Sequence, residues 1–233
     1  MEDGAPKDPR ELPLYRLAEA AHYLRVPVST LRGWISGFDY HVRSGTRRAA
    51  PLIRPPEGAS PDRLLSFLNL VEAHILASLR RLHHVPMHRV RTVLRLAGGR
   101  RGTRHPLLHA RLSPDGQDLV IDREGGLMDP RGQRVFPFAA PRPFGRIEWD
   151  AGSALPVRLY PLISGDGPRA PQRIVIDPER AAGRPIIAGT QIPTAVVAAR
   201  HRAGESVSAL AGEYGLDPSS IEDALRCAFP RAA

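Results

Sequence analysis

The stretch LYRLAEAAHYLRVPVSTLRGW, residues 14–34, decides how this 233-residue chain folds. Within it a small residue, Ala21, is followed by Val26, Leu31 and Trp34 at steps of five, five and three. In a helix-turn-helix the small residue lets two helices approach, the first aliphatic plugs the turn, and the last two face the core from the second helix. The same spacing recurs at Ala211, Leu216, Ile221 and Ala224. Two occurrences predict a helix-turn-helix at each end of the chain.

Charge separates the two copies. Residues 1–110 hold 18 Lys and Arg against 9 Asp and Glu, whereas residues 111–233 hold 15 of each. The net charge of +9 therefore belongs to the first half. Neutralising phosphates with basic side chains supplies most non-specific DNA affinity. A basic helix-turn-helix beside a neutral one points to one DNA reader and one protein-binding module. Lys7 is the only lysine. Because a GC-rich genome enriches arginine without functional cause, the positions of these arginines carry more weight than their identity.

At this length and 42% hydrophobic composition the chain can bury core in one to three small domains. No apolar run reaches the ~18 residues of a membrane span, and the first 25 residues are not signal-like, so a cytoplasmic protein without membrane contact is expected. Cys227 is the only cysteine, which excludes an internal disulfide and fits a reducing compartment.

Residues 1–12 are polar with two prolines and are expected to be disordered. A first domain over 13–58 takes in the helix-turn-helix, with Pro27 where an N-cap is usual, and the basic stretch Asp39 to Arg54. Around Ser44-Gly45-Thr46 that stretch predicts a β-hairpin wing with a basic tip. Over 60–100 a helical region follows. Ser60-Pro61-Asp62 predicts a helix start, and Leu64, Phe67, Leu68, Val71, Ile75, Leu79 and Leu82 recur at helical spacing. Leu65 and Leu76 widen the apolar surface beyond one stripe, which predicts a partner face, most simply in a two-fold homodimer. A second helix, Pro86 to Ala97, is expected to end at Gly98-Gly99.

Short β-like runs separated by turn signals make residues 105–163 a small β-rich insert: 107–112, 119–122, 134–138, 146–149 and 157–162. Residues 164–172 have linker composition. The last module, 173–233, predicts two short strands and three helices. Thr194, Ser206 and Asp217 are the expected caps, and Gly215 falls in the turn. Its final helix carries Glu222 and Asp223 where a DNA reader needs donors. The fold expected is mainly α with a β-rich insert.

The run Thr30-Leu31-Arg32-Gly33-Trp34 after the turn resembles the MerR-type winged helix-turn-helix, from which it departs at Arg25, often Gly there, and at Pro27. By this resemblance Ser29, Thr30 and Arg32 face the major groove, Arg43, Arg47 and Arg48 face the DNA backbone, and Trp34 is core. Gly183-x-Pro185-x-Ile187-x-Gly189-Thr190-x-Ile192-Pro193 resembles the signature of a bacterial winged-helix family, formerly of unknown function, taken as antitoxins of PIN-like ribonucleases. Gln191, Thr194 and Gly212 depart from its commoner residues. Together the two modules are similar to a VapB-type antitoxin subclass. The resemblance implies an autorepressing antitoxin that binds operator DNA and a PIN-like ribonuclease toxin. Inhibition would occlude RNA or insert Arg226 or Arg231 into the toxin's acidic pocket, and occlusion needs fewer assumptions.

Other chemistry is poorly supported. Six of the nine histidines lie between His74 and His109, but Pro86 interrupts the turn between His84 and His88, which favours solvated histidines over a metal pair. The loop Gly183 to Thr190 lacks the lysine and long helix of a phosphate-binding loop, which favours a structural turn. Asp177, Glu179 and Asp217 stand beside prolines, as capping and turn acids do. No catalytic constellation and no cofactor are expected. The rival readings are a ligand-sensing MerR-type regulator that uses the β-rich middle, and a nucleic-acid-processing enzyme.

Overall fold

Helix α1 (Leu17–Tyr23) and helix α2 (Val28–Ser36) meet at the turn that the spacing predicts. The structure is a computed structural model and describes residues 8–43, 45–56, 65–82, 87, 90–91, 104–109, 146–153, 155–161 and 170–229. Ala21, Val26, Leu31 and Trp34 are all buried. Val26 N–H donates to Ala21 O at 3.0 Å and closes the turn. Pro27 is the N-cap of α2, a place where a missing N–H forfeits no helical bond.

Strands β1 (Phe38–Val42) and β2 (Gly45–Ala49) pair antiparallel as a hairpin in the place where the wing was expected. Phe38 pairs with Ala49, Tyr40 with Arg47 and Val42 with Gly45, and these share one face. Asp39 with Arg48 and His41 with Thr46 form the other. After the wing the chain returns to α2, where Trp34 O accepts from Leu52 N–H and Ile53 N–H at 2.7 and 3.1 Å.

Helix α3 (Phe67–Leu82) corrects two expectations. Its described start is not a Ser60 cap. Leu65 is still extended and forms a β-bridge with Tyr15, and the cap is reciprocal: Asn69 N–H donates to Ser66 Oγ and Ser66 N–H to Asn69 Oδ1, both at 3.2 Å. Nor is the second apolar strip left for a partner. Phe67, Leu68, Leu70, Val71, Ala73, Ile75, Leu76, Ala77 and Leu79 are all buried within the chain, as is Leu65. The helix is central and buried on all sides, its polar Asn69, Glu72, His74 and Ser78 included, so its apolar width is no argument for a dimer. Arg81 ties it to the head by donating to Leu24 O at 3.3 Å. Of the second expected helix only residues 87, 90 and 91 are described, and these are helical.

The short helix α4 (Pro106–His109) stands where a β-run was expected from Leu107, since Pro106 opens a helical turn and Leu108 N–H returns to His105 O. The runs expected at 119–122 and 134–138 and the three turn signals between 114 and 132 lie outside the described residues, as do Ser44, Ser60 to Leu64, His84, His88 and most of the 164–172 linker. Strands β3 (Ile147–Trp149) and β4 (Pro156–Leu159) pair antiparallel where strands were expected. Part of the N-terminal tail is ordered: Pro9–Glu11 make a 3₁₀ turn capped by Asp8, and Glu11 bonds to His105.

The last module has β5 (Ile174–Val175) and β6 (Ile186–Ile187) in an antiparallel pair, followed by α5 (Thr194–Arg202), α6 (Val207–Tyr214) and α7 (Pro218–Ala228). Ser206 caps α6 and Asp217 caps α7 through backbone N–H groups at 3.1 and 2.9 Å. Thr194 does not cap α5. Pro193 holds that place and Thr194 is buried in the first turn. The second turn repeats the first, with Leu216 N–H donating to Ala211 O at 2.9 Å.

Buried side chains from Tyr15 to Cys227 form one continuous apolar core. The two end modules meet inside it: Tyr15 Oη donates to Gly183 O at 2.8 Å, His22 Nε2–H donates to Cys227 O at 2.7 Å, and Arg184 pairs with Glu19. An isolated antiparallel bridge links Leu159 of β4 to Ile176, the residue after β5.

Candidate nucleic-acid interface and partner surface

On α2 the buried positions Leu31, Trp34 and Ile35 fix which side chains point outward. Val28, Ser29 and Arg32 are exposed and Thr30 is half-buried. Arg32 has no acidic partner among the described residues. A helix with its apolar stripe seated and an arginine and a hydroxyl outward is the arrangement that reaches base edges and phosphates.

The wing does not present its arginines alike. Arg43 and Arg47 are exposed. Arg48 lies on the opposite face from Arg47, donates to Asp39 at 3.3 Å and to Ser36 O at 3.1 Å, and so fastens the wing to the end of α2. Sequence reasoning missed Phe38 and Tyr40, which are 49% and 41% exposed, with ring centroids 6.2 Å apart on the Arg47 face. The period-2 alternation within the wing was the signal that pairs them with Arg47. Arg91 stands over the Phe38 ring at 5.6 Å and donates to Ala50 O.

In the tail the signature residues are architecture. Thr190 N–H and Oγ1–H both donate to Ile187 O, at 3.0 and 2.8 Å, while Oγ1 accepts from Ile192 N–H at 3.0 Å. Ile187 N–H returns to Ile192 O and Thr194 N–H to Pro185 O. Gly183 is left-handed (φ +75°), and a Cβ there would lie 2.8 Å from Tyr15 Oη, so it serves the junction with the head. Gly189 is also left-handed (φ +79°) but faces open space, so its requirement is conformation alone and not close approach.

Asp223 is 1% exposed, so it does not form part of an outward acidic surface as expected. It accepts from Arg226 at 2.6 Å and from Arg173 at 3.4 Å, and Glu222 also accepts from Arg226 at 2.9 Å. Arg226 is thus committed within its own helix, and Arg231 lies outside the described residues. Burial pushes the Cys227 thiol up to about 12, so it stays protonated and packs as a small apolar group.

Asp177 accepts from Glu179 N–H at 3.0 Å and from Arg158 at 2.9 Å, the contacts of a turn acid. Among the described residues no cluster of three or more His, Cys, Asp or Glu is arranged to hold a metal, and no helix is long and apolar enough to cross a membrane.

A seated helix pair with a basic outer face and a wing defines a DNA-binding helix-turn-helix protein. Residues 13–94 match the family described as "Putative DNA-binding HTH domain", and residues 174–228 match "Protein of unknown function (DUF433)". The chain is 32% identical over 232 residues to the protein named "Putative antitoxin VapB45" of Mycobacterium tuberculosis strain H37Rv, spanning 92% of this chain and 93% of that one. It therefore belongs to the same family as the protein named "Putative antitoxin VapB45". It is also 29% identical over 224 residues to "Uncharacterized protein Rv2308" of the same organism, across 91% of this chain and 88% of that one. The crystal structure of Rv2018 from Mycobacterium tuberculosis superposes with a TM-score of 0.55 at 28% identity, covering 92% of this chain and 98% of that one.

Proposed function

We propose that this chain is the non-enzymatic, cytoplasmic antitoxin of a type II toxin–antitoxin pair. Through α2 and a MerR-like wing it binds operator DNA and represses its own operon. Through the module from residue 173 onward, a winged helix built on the signature loop, it silences a PIN-like ribonuclease. One observation carries the division: at the same step of the two turns the second helix presents Arg32 in the head and Glu222 in the tail, both exposed. A phosphate backbone attracts the first and repels the second.

Occlusion of the toxin's RNA path is the mode this tail suits, because Arg226 is already held by Asp223 and Glu222. A homodimer on an inverted repeat rests on operator symmetry alone, and it would use surface other than α3.

Co-expression with a PIN-like nuclease, in parallel with gel shifts on the DNA upstream of the chain's reading frame, tests the proposal. Full-length chain should restore growth, and Arg32→Ala should lose operator binding while still restoring it. Loss of rescue in Arg32→Ala, or ligand-dependent DNA binding without any rescue by the parent, would count against the division of labour.

A further inference from the structure

The wing puts chemically different groups on its two faces. Phe38, Tyr40 and Arg47 lie together on one, and Asp39, His41, Thr46 and Arg48 on the other. The second face is internally satisfied: Arg48 bonds to Asp39 and Ser36 O, and Thr46 Oγ1 lies 3.1 Å from His41 Nδ1. The first face leaves two large aromatic rings substantially in water beside an exposed guanidinium, with a second guanidinium, from Arg91, over the Phe38 ring. Among the described residues of the hairpin no carboxylate lies on that face.

That face also continues the outer surface of α2. A Cβ at Gly33 would lie 3.4 Å from Phe38 Cδ1, so the ring packs beside α2 at ordinary contact distance from Gly33. Exposed rings bounded by cations and free of acids complement a polyanion whose sugars offer apolar surface between phosphates. A tyrosine there can pack its ring on a deoxyribose and donate its hydroxyl to a phosphate oxygen.

We infer that the wing meets duplex DNA with the Phe38–Tyr40–Arg47 face alone, that Tyr40 is a direct contact to the sugar–phosphate backbone, and that Arg48 is a positioning residue. This rests on the DNA-binding reading above and narrows it. It separates Arg47 from Arg48, which sequence treats as equivalent neighbours.

The test uses the full chain with two duplexes, one from the DNA upstream of its reading frame and one of the same length with shuffled sequence. Tyr40→Ala should weaken binding to both by about fivefold or more, with an unchanged salt slope, because the contact it removes is not ionic. Arg47→Gln should lower the slope by about one, whereas Arg48→Gln should leave the slope unchanged. His41→Ala and Thr46→Ala should bind as the parent does. Independent of any variant, a duplex carrying 5-iododeoxyuridine should crosslink on irradiation to Tyr40 or Phe38. A slope lowered by Arg48→Gln but not by Arg47→Gln would overturn the inference, as would parent-like binding by Tyr40→Ala or a crosslink at His41. Conversion of a dimer to a monomer by Tyr40→Ala would overturn it too, since the face would then be a contact between copies. Parent chain that binds neither duplex would overturn the DNA-binding reading itself, and the face assignment with it.

Discussion

Arg25 and Gly215 occupy the same step of two copies of one turn, and both are left-handed, at φ +52° and +64°. Each lies between the small residue's helix and the aliphatic plug, Val26 or Leu216, whose N–H closes the turn. The left-handed region costs an ordinary residue about 1 kcal/mol or more, whereas glycine enters it freely but loses more entropy on folding. The two terms predict an asymmetry. Gly215→Ala should destabilise the chain by about 1 kcal/mol, and Arg25→Gly should stabilise it by less than about 1 kcal/mol. Urea unfolding of both variants measures this. A clear loss of stability in Arg25→Gly would mean that the arginine side chain, not tolerance of its backbone, holds the turn.

His105 should make the chain less stable as pH rises. Its Nδ1 lies 3.0 Å from Glu72 Oε2 and its Nε2 3.0 Å from Glu11 Oε1, and only a doubly protonated ring donates to both. Burial opposes that charge, but the bonds and charges of Glu72 and Glu11 outweigh it, and the ring's pKa lies above its usual 6.5. Burial likewise raises the carboxyl of Glu72 above 4.5. A raised histidine pKa gives stability that is complete below about 6.5 and disappears as pH climbs through the folded value. The raised glutamate has the same sign. As pH rises from about 6.5 through the ring's raised folded value the parent should therefore lose unfolding free energy, and His105→Gln should flatten the slope. At about pH 6 that variant should also be less stable by about 3 kcal/mol, because Glu72 is left buried without its cation.

Gly183 and Gly189 separate crowding from conformation. Gly183→Ala puts a methyl group 2.8 Å from Tyr15 Oη and 3.1 Å from Leu14 Cδ1 in addition to its left-handed backbone, whereas Gly189→Ala bears only the backbone cost. The expected losses are about 2 to 3 kcal/mol and about 1 kcal/mol. Because Tyr15 sits in the continuous core shared by head and tail, Gly183→Ala should weaken one cooperative transition and not melt the tail alone. Calorimetry distinguishes these, and two separated transitions in the variant would refute the shared core.

Both helix-turn-helix units were legible because a small residue, a plug and two core positions are local requirements. The caps Ser206 and Asp217 were legible for the same reason. What the sequence hid is non-local. Leu65 pairs with Tyr15 fifty residues away, so the periodicity through Leu64 overran the true cap at Ser66. Leu76 read as partner surface because a helix buried on all sides and one with a spare face carry the same residues. Asp223 read as outward because nothing nearby in sequence announces that Arg173, fifty residues earlier, reaches it. Arg47 and Arg48 looked equivalent until strand pairing placed them on opposite faces.

Arg226 offers the sharpest choice between the two ways of silencing a nuclease. Its guanidinium bonds to Asp223, which is 1% exposed, and to Glu222 on the surface. Insertion into an acidic pocket would require Arg226 to abandon the buried carboxylate of Asp223 and give up the 2.6 Å bond it makes there. Arg226→Ala alone should therefore lower stability by about 1 to 2 kcal/mol, and any loss of rescue would be confounded with misfolding. Asp223→Asn removes the buried charge, so the pair Arg226→Ala with Asp223→Asn should recover most of that loss. Under occlusion the double variant, co-expressed with the nuclease, should restore growth as well as the parent does. A double variant that melts like the parent, still binds operator DNA and yet fails to rescue would assign Arg226 to the toxin's pocket and end the occlusion reading.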